Sequence, residues 1–203
     1  MRNNKLTGFT ITELLITLAV ASIVMAIGIP SFTELLNRNR LTASTNQLIT
    51  DLNLARSEAV KRGRQVVVRK VGANGWEEGW EIFADVSRNG ANANVFNDNG
   101  DEILCEPNED CLLRQSPALA LGFTLRGNNN FTNFVRYGPD GTSNTIGSFA
   151  VCDNQDGKGN LSLKSKLIII NRMGRIRLGS DDNHHHIPEK EDGNEITNCI
   201  NGF

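Results

Sequence analysis

Residues 14–33 carry no charged side chain. A helix of that length spans about 30 Å, the thickness of a bilayer's hydrocarbon core. Residues 1–8 hold Arg2 and Lys5 and no acid. Basic residues beside a span stay in the cytoplasm, so the sequence predicts that the rest of the chain is exported. A cleavable secretory signal would end in small residues after the apolar run. Here the run passes into Pro30, Ser31 and Phe32 without an Ala-x-Ala site, so it reads as a retained anchor. Glu13 stands alone at its edge. A carboxylate in that position is costly unless it finds a partner, which marks it as functional.

Gly8-Phe9-Thr10-Ile11-Thr12-Glu13, followed by Leu14-Leu15-Ile16, resembles the type III signal of type IV prepilins and pseudopilins. The resemblance implies that a prepilin peptidase cuts after Gly8 and that the new N-terminal Phe9 is methylated. It implies an assembly role for Glu13, whose carboxylate would meet a neighbouring subunit's amino terminus. A buried carboxylate needs a cation, and a freshly cut α-amine supplies one. Other pilins would be partners through the N-terminal helix, as would inner-membrane lipid before assembly. The expected location is the bacterial inner membrane, single-pass with a periplasmic domain, and then a pilus or pseudopilus.

Beyond Pro30 the helical spacing continues, with a bend allowed at the proline. Leu41, Leu48, Leu52, Ala55 and Ala59 fall on one side, while Arg38, Arg40, Asp51, Arg56, Glu58 and Lys61 are expected mainly elsewhere. Lys61 and Arg62 suit the negative end of a helix, and Gly63 suits its C′ position. Leu54-Ala55-Arg56-Ser57-Glu58-Ala59 resembles a signature of the GspH/FimT branch of pseudopilins and minor pilins. The Gly-Trp-x-x-Gly-Trp-x-x-Phe-x-Asp pattern from Gly75 to Asp85 resembles the same branch. Strands are predicted at 65–70, 79–83, 122–126, 134–137, 147–152, 166–170 and 175–178. Polar, Asn/Asp-rich segments 87–101 and 181–194 read as loops. The fold class is α+β: a pilin fold with a long N-terminal α-helix packed on an antiparallel β-sheet domain. Its divisions are a leader at 1–8, a transmembrane half-helix at 9–30, an amphipathic half-helix at 31–63, a β-rich domain at 64–180 and an acidic tail at 181–203.

Net charge is −2, but its distribution is uneven. Lys164, Lys166, Arg172, Arg175 and Arg177 lie in an acid-free stretch, and the tail after it is strongly acidic. In a strand, Arg175 and Arg177 share a face, and Gly174 permits a tight turn before them. Gly174-Arg175-Ile176-Arg177 resembles the Gly-Arg-x-Arg motif of FimT-type minor pilins, associated in that family with DNA binding in natural transformation. Carried over, Arg175 and Arg177 would contact phosphates. Lys164, Lys166 and Arg172 join them on charge, with Arg136 a weaker addition. Binding would be to the backbone and non-specific. The alternative is a structural minor pilin, or a GspH-like pseudopilin of type II secretion, in which basic residues merely guard an edge strand. An acidic tail folded over the strand would mask the patch.

No nucleophile elbow, phosphate-binding loop or close zinc-type cysteine pair is present, so no enzyme is expected. Neither His184, His185 and His186 nor the turn at 98–102 has a convincing metal-ligand pattern, so no metal or cofactor is expected. Four cysteines fit an oxidising compartment and allow three pairings. Local closure favours Cys105 with Cys111, leaving Cys152 with Cys199 to tie back the tail.

Overall fold

The computed structural model describes residues 9–88, 90, 93–98, 100, 105, 108–155, 164–190 and 192–199. These fall in two units, Met1–Asn39 and Arg40–Phe203. Helix α1 (Ile11–Arg62) begins in the first and ends in the second. In the first unit its apolar side chains are exposed, and α1 is long and apolar enough to cross a membrane. Pro30 lies inside α1, which continues through it. The helix stops where a backbone turn satisfies its last carbonyls. Gly63 adopts φ +59°, Gly63 N donates to Val60 O at 3.3 Å, and Arg64 N donates to Ala59 O at 3.2 Å. That is a Schellman closure, and the positive φ favours glycine.

The second unit contains eight strands among its described residues. They are β1 (Val66–Lys70), β2 (Trp80–Ala84), β3 (Cys111–Ser116), β4 (Phe123–Gly127), β5 (Phe134–Tyr137), β6 (Gly147–Asp153), β7 (Ser165–Ile170) and β8 (Ile176–Leu178). Two four-stranded antiparallel sheets result, ordered β3-β2-β1-β5 and β4-β6-β7-β8. Strand β3 was not anticipated. Strand alternation gives each sheet two faces. One face of each joins α1 in a single core of Leu48, Leu52, Ala55, Val66, Val68, Ile82, Phe149, Ile168 and their neighbours.

Asp51 lies in this core with no exposed surface, although helical spacing suggested that the charges of α1 lie mainly elsewhere. Its Oδ2 accepts from Trp80 Nε1 at 2.8 Å and from Ser116 Oγ at 2.6 Å, while Oδ1 meets Arg114 Nη1 at 3.2 Å. One carboxylate thus ties α1 to β2 and β3. The burial of this charge is offset by two hydrogen bonds to Oδ2 and by the Arg114 ion pair at Oδ1.

The opposite faces are also covered. On the first sheet Val67 and Phe83 point away from α1 yet are fully buried. A strap within 85–110 crosses them, with Phe96 packed 5.4 Å from the Phe83 ring. Arg69 Nη1 donates to Asn94 O at 2.6 Å, and Arg136 Nη1 donates to Asn94 Oδ1 at 2.8 Å. Buried Asp110 accepts from the backbone N–H groups of Val86, Ser87 and Asn97. On the second sheet Ala150, Cys152, Leu167 and Ile169 are covered by Ile187, Ile196 and Cys199 of the tail. Disulfides join Cys105 to Cys111 and Cys152 to Cys199, one at each cover.

Asp51→Ala strands the buried Trp80 N–H and should lower the unfolding free energy by about 3 kcal/mol. Urea titration followed by tryptophan fluorescence reads this, and a loss below about 1 kcal/mol would contradict the clamp. Burial pushes the Glu81 carboxyl above its ordinary 4.5, and Arg69 only partly opposes this. A raised folded value means that this group disfavours folding once it ionises. The contribution is most favourable below 4.5 and erodes as pH rises through the folded value. Glu81→Gln should therefore raise the melting temperature at about pH 7 and change it little at about pH 3.5.

Candidate functional site

Glu13 begins the first site with a local bond. Thr10 precedes the first helical residue, and Glu13 N donates to Thr10 Oγ1 at 3.2 Å. In return, Thr10 N donates to Glu13 Oε2 at 2.9 Å and Thr10 Oγ1 donates to the same oxygen at 2.8 Å. This reciprocal pair is a capping box, which satisfies orphan donors at a helix start. The Thr10-x-x-Glu13 spacing is the sequence signal for this cap. The Glu13 carboxylate also places a negative charge at the positive end of α1. Phe9 is exposed, and Gly8 lies outside the described residues.

The second site is built on the turn between β7 and β8. Asn171 N donates to Arg175 O at 3.1 Å, Asn171 Oδ1 accepts from Arg175 N at 3.0 Å, and Gly174 N donates to Asn171 O at 2.9 Å. Gly174 adopts φ +70°, and a Cβ built there would sit 2.2 Å from Gly141 O. Both the backbone conformation and the space therefore require glycine. Arg56 of α1 pins this turn to the one at Gly141. Its Nε donates to Gly141 O at 2.9 Å and its Nη2 donates to Met173 O at 3.1 Å. Sequence reasoning placed Arg56 in a family signature without a task. A planar fork bridging two carbonyls is a task suited to arginine.

From that turn, β8 runs along the free edge of its sheet. Arg177 pairs with Ile169 and so lies on the sheet face opposite α1; Arg175 lies two residues before it, just ahead of β8. Arg172, Arg175 and Arg177 are exposed, and their guanidinium groups have no hydrogen bond or ion pair among the described residues. Lys166 is exposed but pairs with Val151, whose side chain faces the core, so Lys166 projects from the other face. Lys164 is half-buried and engaged in interactions of its own. Arg136 belongs to the other sheet and is committed to Asn94. The structure therefore brings Arg172, Arg175 and Arg177 to one turn and edge, and leaves Lys166 and Arg136 apart. The opposite edge, β4, is treated differently. There Glu77 accepts from Leu125 N at 3.3 Å and pairs with Arg126.

Two of the tail's acids face histidines of the tail itself. His185 Nδ1 lies 2.7 Å from Glu195 Oε1, and His186 Nδ1 lies 3.7 Å from Asp181 Oδ2. The His185 contact draws the Glu195 carboxyl below its ordinary range. Among the described residues no three metal-ligating side chains converge.

A long helix carrying an N-terminal signal and packed on antiparallel sheets defines a pilin-like subunit. Comparison agrees. Residues 3–29 match the prokaryotic N-terminal methylation motif. Residues 44–174, more than half of the chain, match the family described as type II transport protein GspH. The chain belongs to the GspH family. A crystal structure of the type IV minor pilin FimU from Pseudomonas aeruginosa strain PAO1 is similar at 21% identity and a TM-score of 0.51, covering 80% of this chain and 96% of that one. A second crystal form of FimU gives 19% identity and a TM-score of 0.48, covering 78% and 98%. That similarity is one of fold. No curated protein matches the chain. Family and fold are structural rather than enzymatic, and the apolar helix fits a membrane-anchored pilus or pseudopilus component.

Gly174→Ala should destabilise the domain by about 2 kcal/mol or more, because it combines positive-φ strain with a backbone clash. Arg56→Ala should cost about 2 kcal/mol by leaving two carbonyls without their charged donor. Equilibrium urea unfolding checks both, and a neutral Arg56→Ala would remove the arginine as the link between the two turns.

Proposed function

We propose that the chain is a minor pilin that grips DNA non-specifically through the β8 edge during DNA uptake. The observation that carries this is the set of unpartnered, exposed guanidinium groups at Arg172, Arg175 and Arg177 on a turn held rigid by Gly174 and Arg56. Planar arginine forks match phosphate oxygens, and a fixed backbone reduces the ordering cost of binding. No recognition helix is offered by this edge, so readout would be of the backbone, with the salt dependence of counterion release. Lys164 and Lys166 add long-range attraction, with Lys166 on the far face.

The assembly path follows the N-terminal signal. Prepilin peptidase cuts between Gly8 and Phe9, Phe9 is methylated, and the subunit waits in the bacterial inner membrane with its β domain in the periplasm. There Glu13 keeps Oε2 on its own cap and offers Oε1 to the amino terminus of a neighbouring pilin.

The test is a gel shift with the full chain in detergent micelles across a salt series, beside Arg175→Gln/Arg177→Gln. The parent should bind and weaken steeply with salt. The double variant, still folded, should lose affinity and flatten the log–log salt slope by about 2. A parent that fails to bind at low salt would leave a structural pilus or type II pseudopilus subunit, with the arginines serving as an edge guard.

A further inference from the structure

The two disulfides differ in access and in neighbouring charge, although Cys111, like Cys152 and Cys199, borders an apolar cluster. Cys152 and Cys199 are at most 1% exposed and packed among Ala150, Leu167, Ile169 and Ile196. A thiolate released there would enter an apolar site that raises its pKa and opposes its departure. Cys105, by contrast, is exposed, while its partner Cys111 is only 4% exposed. Arg62 Nη1 points at Cys111 Sγ from 3.6 Å. The guanidinium is held in place by Glu58, whose Oε2 accepts from Arg62 Nε at 2.6 Å. Beside the bond lies a cleft of about 560 Å³ whose lining includes Arg62, Arg64, Glu109, the exposed Cys105 and the nearly buried Cys111. That volume admits a small thiol.

We infer that Cys105–Cys111 is a thiol-exchange site, with Cys105 the sulfur attacked and Cys111 the leaving group. An incoming thiolate, its proton already lost to solvent, bonds to Cys105 Sγ. The Cys105–Cys111 bond breaks, and its electron pair leaves on Cys111 as a thiolate beside Arg62. The product is a mixed disulfide on Cys105, with no net oxidation or reduction in the step. Cys111 can return and expel the thiol, or a second thiolate can release it as a symmetrical disulfide and leave both cysteines reduced. The order of attack follows from access, since Cys111 is screened and Cys105 is not. The leaving direction follows from charge, since a cation lowers the pKa of the departing thiol and a lower pKa leaves faster. The ligand class is any thiol that reaches the cleft, whether a free peptide thiol or the reactive cysteine of an oxidoreductase.

The full chain in detergent micelles is incubated with graded reduced glutathione, quenched by alkylation and mapped by mass spectrometry. A parallel arm uses a reduced thioredoxin-type dithiol protein. Glutathione should appear on Cys105 and not on Cys111, at concentrations that leave Cys152–Cys199 closed. Opening by the dithiol protein but not by glutathione assigns the site to a protein thiol; opening by both assigns it to either source. Arg62→Gln should slow opening roughly three- to tenfold, and Arg62→Lys should retain most of the rate. An adduct on Cys111, simultaneous opening of both bonds or resistance to both thiols would overturn the inference. So would an Arg62→Gln variant that opens as fast as the parent. The mapping in the parent decides independently of whether the variant folds.

Discussion

Both sheets of this small domain are buried on both faces, and most of the second unit follows from that requirement. One face of each meets α1 and the other sheet. The outer faces carry Val67 and Phe83 on one side, and Ala150, Leu167 and Ile169 on the other. Apolar side chains there would be wet without further chain to cover them. Among the described residues, Phe96 of the Asn/Asp-rich strap and Ile187 and Ile196 of the acidic tail contribute to the cover. Each is also fastened in place, the strap by Asp110 and Cys105–Cys111 and the tail by Cys152–Cys199.

The helix supplies the other half of the order. Apolar contact alone would let α1 slide or turn against β2 and β3, because non-directional burial sets distance better than register. Asp51 adds direction by fixing one turn of α1 against Trp80, Arg114 and Ser116. Five residues further along, about one and a half turns, Arg56 reaches the loops that precede β8. The helix thereby sets the position of the basic edge, although it contributes nothing to that edge's exposed charge.

What was legible in the chain was what depends on short-range pattern. The uncharged run, the glycine at the end of α1 and seven of the strands announce themselves through composition and spacing. β3 did not, because Cys111-Leu112-Leu113-Arg114-Gln115-Ser116 lies on a sheet edge with a register irregularity opposite Ile82 and Phe83. An edge strand with one exposed flank has no clean alternation to show. Asp51 was hidden for a different reason. A carboxylate on a helix counts as polar until its distant partners are known, and Trp80, Arg114 and Ser116 lie far along the chain. Of the basic cluster, Arg175 and Arg177 could be paired from alternation alone. Placing Lys166 on the opposite face needed the β6–β7 register, which no local signal contains.

The bond between Cys152 and Cys199 encloses the whole turn region around Arg175 and the exposed His184–His185–His186 loop in one covalent ring. A protease that nicks the loop creates two new chain ends but releases no fragment. The severed tail remains bonded to β6 and continues to cover Leu167 and Ile169. A nick in this exposed loop thus adds one water to the chain but sheds no fragment under oxidising conditions, and the subunit keeps its covered sheet until a reductant reaches a bond that the tail itself shields.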